Sequence, residues 1–262
     1  MDFKEKVILI SGATGGMGRE LVKIIAKDGC KLVLFARNEG KLKKLCEEIT
    51  SNKTTCIYKK CDVKNKNNVK DAVEFTIKEY GRIDLAILTA GILVPNPIQT
   101  FNSEVIINSM EINFFGNLYF FEYLLPIMKK QKSSIIATVS TLPDKRGWPG
   151  WGAYGASKAA LSWLIESLRA EAKKLYNIKL ITIKPGSVET PMIEGYHRKG
   201  AVSSYKAAKI IVKGIKAGKS IIKFPISQIL SIKMMELLPA KVYDGQSIEE
   251  LKGDGYPVVE EE

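Results

Sequence analysis

Tyr154 and Lys158 stand four residues apart where the sequence turns helical, so a helix places them on one face, a turn apart. A free phenol loses its proton near pH 10, too high for a base at neutral pH. An ammonium a few ångströms away favours the phenolate and lowers that value. The pair is therefore suited to moving a proton on and off a carbonyl/alcohol oxygen. Two hydroxyls lie fourteen and thirteen residues upstream, Ser140 and Thr141. Adjacent residues of an extended segment point to opposite sides, so one of the two faces the phenol and the other does not.

A second chemistry-bearing stretch is ISGATGGMGRE, which follows an apolar run and opens a helical one. Glycines 12, 16 and 18 let the backbone bend sharply and come close to a pyrophosphate. The helix N-terminus then offers unpaired N–H groups and positive dipole to it. The next apolar run ends LVLFARN: Ala36 stands where NAD-binding folds carry an acid for the ribose 2′-hydroxyl, and Arg37 follows. An arginine with no competing carboxylate suits a 2′-phosphate and favours NADP(H). After the third run come Asp62 and Val63. Asp62 can accept from an adenine amino group or serve as a helix N-cap.

The elements that must position these groups are legible in the period of the apolar residues. Seven β-branched runs, 6–11, 31–36, 55–60, 83–90, 134–140, 178–184 and 220–224, are nearly continuous, as in parallel strands buried on both faces. Segments between them repeat apolar residues at helical spacing: Met17, Leu21, Ile24; then Leu42, Leu45, Ile49; then Leu161, Leu164, Leu168. That alternation predicts an α/β fold, a doubly wound parallel sheet of about seven strands with helices on both faces. With no linker and no repeat, residues 1–262 read as one domain, and 225–262 form an apolar segment followed by an acidic tail.

The net charge of +12 comes from scattered lysines without interleaved aromatics, which argues for a solvated basic surface and against nucleic-acid binding. The four cysteines form no CxxC pair, and the single histidine, His197, is distant, so no zinc site is expected and His197 reads as a loop residue. No secretory pattern is present and no apolar run approaches the ~20 residues of a bilayer span. The expectation is a soluble cytoplasmic protein with reduced cysteines and no metal.

From about residue 5 to 225 the chain resembles the short-chain dehydrogenase/reductases. SGATGGMG is similar to that family's TGxxxGxG turn, with Ser11 for the threonine; LTAG (88–91) is similar to its NNAG, with both asparagines replaced. INFFG brings Asn113, YGASK brings Tyr154 and Lys158, and KPGSVETPM (184–192) is similar to PGxVxT. The resemblance implies a Rossmann-like sheet and an NADP-dependent enzyme interconverting a carbonyl and an alcohol. Tyr154 would be the general acid, Lys158 would bind the nicotinamide ribose, and Asn113 would position a water. Thr141 would carry the substrate hydroxyl bond where the family usually has serine, with Ser140 as the alternative.

Around the cofactor the resemblance implies Ser11, Gly12, Thr14, Gly16, Met17, Gly18, Arg37, Asp62, Val63, Ala90 and Gly91. At the nicotinamide end it adds Tyr154, Lys158, Pro185, Gly186, Val188 and Thr190. Leu93, Leu142, Trp148, Trp151 and Met192 would flank a mostly apolar, small-to-medium substrate. The short stretch after Thr190 suggests an open pocket. The apolar segment after residue 225 reads as packing against the core or a neighbouring subunit, or more loosely as docking on a membrane surface. A homodimer or homotetramer is the family expectation. The competing reading is an NADP-binding regulatory or interaction protein with the same fold and little turnover.

Overall fold

In the computed structural model, residues 1–51, 53–131, 133–193 and 200–245 are described. The chain begins β1 (Val7–Ser11), α1 (Gly16–Ile25), β2 (Lys31–Ala36), α2 (Glu39–Ile49), β3 (Thr55–Lys60), α3 (Lys66–Tyr80) and β4 (Leu85–Leu88). It continues with α4 (Ser103–Met110), a π-helical turn Glu111–Phe115, α5 (Gly116–Gln131), β5 (Ser134–Val139), α6 (Gly152–Tyr176) and β6 (Ile178–Pro185). The short strands β7 (Val188–Glu189) and β8 (Val202–Ser203) follow, then α7 (Ser204–Lys216), β9 (Ile221–Phe224), α8 (Ile226–Leu237) and α9 (Ala240–Asp244).

Seven of the strands form one parallel sheet in the order β3-β2-β1-β4-β5-β6-β9. Strand alternation splits the core in two. Ile8 and Ile10 face α1 and α7 through Leu21, Ile25, Ile211 and Ile215. Val7 and Leu9 face α3, α5 and α6 through Val73, Phe120 and Leu161. The chain runs outward from β1 to β3 and returns to the other side of β1 at β4. The crevice at the carboxyl ends of β1 and β4 is where such sheets hold ligands.

β4 is shorter than the run 83–90 predicted. The buried Asp84 accepts from the Val7 amide (3.0 Å) and pairs with Arg82 (2.6 Å), which ties down the strand's entry. At the exit, the Thr89 hydroxyl donates to the Ser11 carbonyl (2.7 Å) and turns the chain off the sheet. The helix after β3 is capped by Asn65, which accepts from the Asn67 and Asn68 amides, so Asp62 is not its cap.

One expectation is corrected. Cys46 at the end of α2 and Cys56 in β3 form a disulfide, so the cysteines are not all reduced. Cys30 and Cys61 are free, and burial pushes both thiols up to about 12, which leaves them inert. In the segment after residue 225, α8 has no fully buried side chain and leaves Ile226, Leu230, Met234 and Leu237 exposed, while Tyr243 of α9 is buried. Among the described residues, no helix is long and apolar enough to cross a membrane and no cluster of potential metal ligands occurs. His197 and the acidic tail lie outside the described residues.

A buried ion pair joins Lys184, near the end of β6, to Asp144 in the loop after β5. Removing one partner strands the other charge in a dry site. Lys184→Met is expected to lower unfolding free energy in urea by about 3–5 kcal/mol, and Lys184→Met with Asp144→Leu to recover part of it.

Candidate active site

A cavity of about 670 Å³ runs along the carboxyl edge of the sheet. Its first wall is the turn between β1 and α1. Gly12 has φ +67°, and a Cβ there would meet the Ala90 nitrogen at 2.6 Å. A Cβ on Gly18 would meet the Gly12 carbonyl oxygen at 2.2 Å. The close approach of α1 to β1 and β4 thus requires glycine at both positions. The N-terminus of α1 has Gly15 at its cap, no capping side chain and no acid in its first turn. Its orphan N–H groups and positive dipole end face the cavity.

At one end of the cavity Arg37 and Lys41 are exposed beside Asp62. Asp62 is the one carboxylate among the described lining residues, and at this end it is set against Arg37 and Lys41. The balance suits a polyanionic ligand.

The other end holds the proton-transfer groups. Lys158, in the second turn of α6, is buried and donates to the Val139 carbonyl (2.9 Å) at the end of β5. Its Nζ is 6.0 Å from the centroid of the Tyr154 ring. Burial lowers its pKa to about 8. Asn113 sits on the π-helical turn behind Gly91 and acts as a clamp: Oδ1 accepts from the Ile92 amide (2.8 Å), while Nδ2 donates to the Ile92 carbonyl (3.0 Å) and Ser157 Oγ (2.9 Å). Ser157 Oγ donates in turn to the Tyr154 carbonyl (2.8 Å). A Cβ on Gly91 would come within 3.0 Å of Asn113 Oδ1 and 3.3 Å of Lys158 Nζ.

The two candidate hydroxyls part company here. Ser140 Oγ is fully buried against α6, donating to the Lys158 carbonyl (3.1 Å) and sharing a hydrogen bond with Ser162 Oγ (2.7 Å). Both line the cavity that holds Tyr154, and among the described residues the hydrogen bonds that tie Ser140 to α6 do not include the Thr141 hydroxyl. Among the other sequence-derived residues, Thr14, Gly16, Met17, Val63, Ala90, Pro185, Gly186, Val188 and Thr190 line the cavity, as do Leu93, Trp148, Trp151 and Met192. Ser11, Asn113 and Leu142 lie behind the wall: Ser11 is in β1, and Leu142 packs under Gly186.

Sequence reasoning missed Lys41, Arg146 and the inner face of α8, where Gln228, Ser231, Ile232 and Met235 line the cavity. Lys41 was findable, since it lies four residues past Arg37 at the start of α2. The α8 residues lie far along the chain from every motif and carry no recognisable spacing.

Residues 6–201 match the short chain dehydrogenase family. The chain is a short-chain dehydrogenase/reductase. An uncharacterised oxidoreductase of Listeria monocytogenes is 35% identical to this dehydrogenase/reductase over 233 residues, 87% of this chain and 93% of the relative. The fold is similar to that of a short-chain dehydrogenase/reductase from Burkholderia phymatum in complex with NAD, with TM-score 0.83 and 20% identity over 90% of this chain and 94% of that one. It is also similar to an alcohol dehydrogenase from Thermococcus sibiricus complexed with 5-hydroxy-NADP, with TM-score 0.76 and 21% identity over 84% of this chain and 95% of that one. Its family places it among the oxidoreductases.

The nicotinamide dinucleotide that this family implies fits the residues present. The uncapped α1, the glycines whose Cβ atoms would clash and the cationic lining make a cradle for its phosphates.

The lowered pKa of Lys158 has a thermodynamic sign. Between about 8 and the ordinary lysine value the unfolded chain holds a proton that the folded one has released. This group alone therefore makes stability rise with pH across that window. Nitrogen-detected NMR of the isotope-labelled, ligand-free protein is expected to show Lys158 titrating near 8, and Lys158→Met to remove that part of the stability–pH slope.

Proposed function

We propose that this dehydrogenase/reductase uses NADPH to interconvert a carbonyl and an alcohol on a small-to-medium, mostly apolar substrate. The observation that carries the reading is the convergence of Tyr154, Lys158 and Thr141 in the same cavity as the open N-terminus of α1. The cofactor supplies the hydride when bound.

The chain's own residues do the rest. Thr141 Oγ1 and the Tyr154 hydroxyl hold the substrate oxygen, and Tyr154 gives it a proton as negative charge develops there. Lys158, held beneath by the Val139 carbonyl, lends positive charge that eases proton loss from the phenol and anchors the nicotinamide ribose. Asn113 fixes the backbone at Ile92 and, through Ser157, the start of α6. The Asn113 carbonyl accepts from Asn117 Nδ2 (2.8 Å), which leaves a second lone pair for a water. Arg37 and Lys41 hold the 2′-phosphate, which supports NADP(H) over NAD. Asp62 accepts from the adenine amino group. Leu93, Trp148, Trp151 and Met192 exclude water around the reacting carbon.

The deciding measurement is NADPH consumption across a panel of ketones and aldehydes, with Tyr154→Phe beside the wild type. Turnover in the wild type alone supports the reading. An equally inert pair that still binds NADPH would replace it with a regulatory role. Arg37→Ala is expected to weaken NADPH about tenfold or more while leaving NADH nearly unchanged; equal losses would remove the 2′-phosphate assignment. Thr141→Ala is expected to lower kcat about a hundredfold. Ser140→Ala should instead cost about 1 kcal/mol of stability with little change in turnover.

A further inference from the structure

α8 covers the substrate side of the cavity with little apolar burial of its own. None of its side chains is fully buried: Ile229, Ile232 and Met235 are partly buried, while Ile226, Leu230, Met234 and Leu237 are exposed. Full burial of an apolar face, which fixes helices such as α1 and α7, contributes less here. Hydrogen bonds at its two ends add to the hold.

At the N-terminal end Gln228 Oε1 accepts from the Ser187 amide (2.8 Å) and Nε2 donates to the Gly200 carbonyl (3.1 Å). At the C-terminal end Arg146 donates through Nη1 to the Met235 and Leu238 carbonyls, each at 2.6 Å. The Met235 carbonyl also accepts from the Leu238 amide (3.2 Å), and both carbonyls lie at the negative end of a helix, where a guanidinium is favoured. The guanidinium also stacks on Tyr243 of α9 at 4.3 Å, and the Tyr243 hydroxyl donates to the Gly147 carbonyl (2.7 Å). Arg146 is five residues beyond Thr141 on the loop that joins β5 to α6.

We propose that Arg146 is a positioning residue that sets substrate specificity by latching α8 to the loop bearing Thr141. The latch holds Ile232 and Met235 as the wall facing the substrate, so the loop that binds the reacting oxygen and the helix that selects the rest of the molecule move as one. Size selection thus depends on a contact made with α8 carbonyls and not with the substrate. The inference rests on the carbonyl-reduction reading for its kinetic consequences, but the latch itself is measurable without turnover.

The test is hydrogen exchange by mass spectrometry on the full chain with NADPH bound, for wild type, Arg146→Ala, Arg146→Lys and Tyr243→Phe. Peptides covering α8 should exchange about tenfold faster in Arg146→Ala. Arg146→Lys should fall between, because an ammonium does not reproduce the guanidinium geometry. NADPH affinity should stay within about twofold. Across ketones of increasing size, Arg146→Ala should raise KM for the large apolar members about tenfold with a smaller fall in kcat, flattening the preference.

Unchanged exchange at α8, or equal kinetic losses for every ketone, overturns the proposal. Selective loss of carboxylate-bearing substrates with α8 unchanged also overturns it, making Arg146 a direct substrate contact. If Arg146→Ala fails to fold, Tyr243→Phe decides, since it removes one hydroxyl and should loosen α8 in the same direction. If the wild type turns over no carbonyl, the reaction assignment fails while the exchange comparison still decides the latch.

Discussion

An ammonium buried with one carbonyl partner is an expensive object, and the active site is built around it. Taking a lysine out of water costs several kcal/mol unless its protons are met. Here Val139, the last residue of β5, meets one of them. The rest of the neighbourhood keeps the remaining space narrow: Gly91 has no Cβ to intrude, Asn113 is spent on the Ile92 backbone, and Ser140 is spent on α6. The π-helical turn at Glu111–Phe115 is what aims Asn113 at Ile92 and not along its own helix. A charged group kept in so dry a place is poised for an oxygen-rich ligand on its open side.

The strands, the helices between them and the sheet class were legible because buried parallel strands leave continuous apolar runs and the helices leave a 3.6-residue period. The boundaries of β4 were not, because they depend on Asp84 and Thr89 reaching across to β1, contacts that local pattern does not contain. The site was legible where it is local in sequence. The glycine turn and the Tyr154/Lys158 pair each follow from geometry within a few residues. Counting back from Tyr154 points to Thr141, and Ser140 is the hydroxyl that hydrogen-bonds to Ser162.

What sequence could not carry is long-range. The Cys46–Cys56 disulfide spans an element boundary with no motif to mark it. The apolar segment after residue 225 left core, neighbouring subunit and membrane surface open, and only its docking shows Gln228, Ser231, Ile232 and Met235 turned to the cavity with Ile226, Leu230, Met234 and Leu237 exposed. Lys184 and Asp144 lie forty residues apart, and only the packing of the loop after β5 against the end of β6 makes them a buried pair.

The cavity draws on residues from Gly12 in the first loop to Met235 in the penultimate helix. No half of the chain can assemble it alone, so a ligand seated there binds only the completed sheet. Occupancy and folding are then one equilibrium. A dinucleotide present at a hundred times its dissociation constant would add about 2.7 kcal/mol to the free energy of unfolding. For a protein of marginal stability that increment is a large share of the total. The cellular supply of cofactor would therefore help set how much of this enzyme is folded at all.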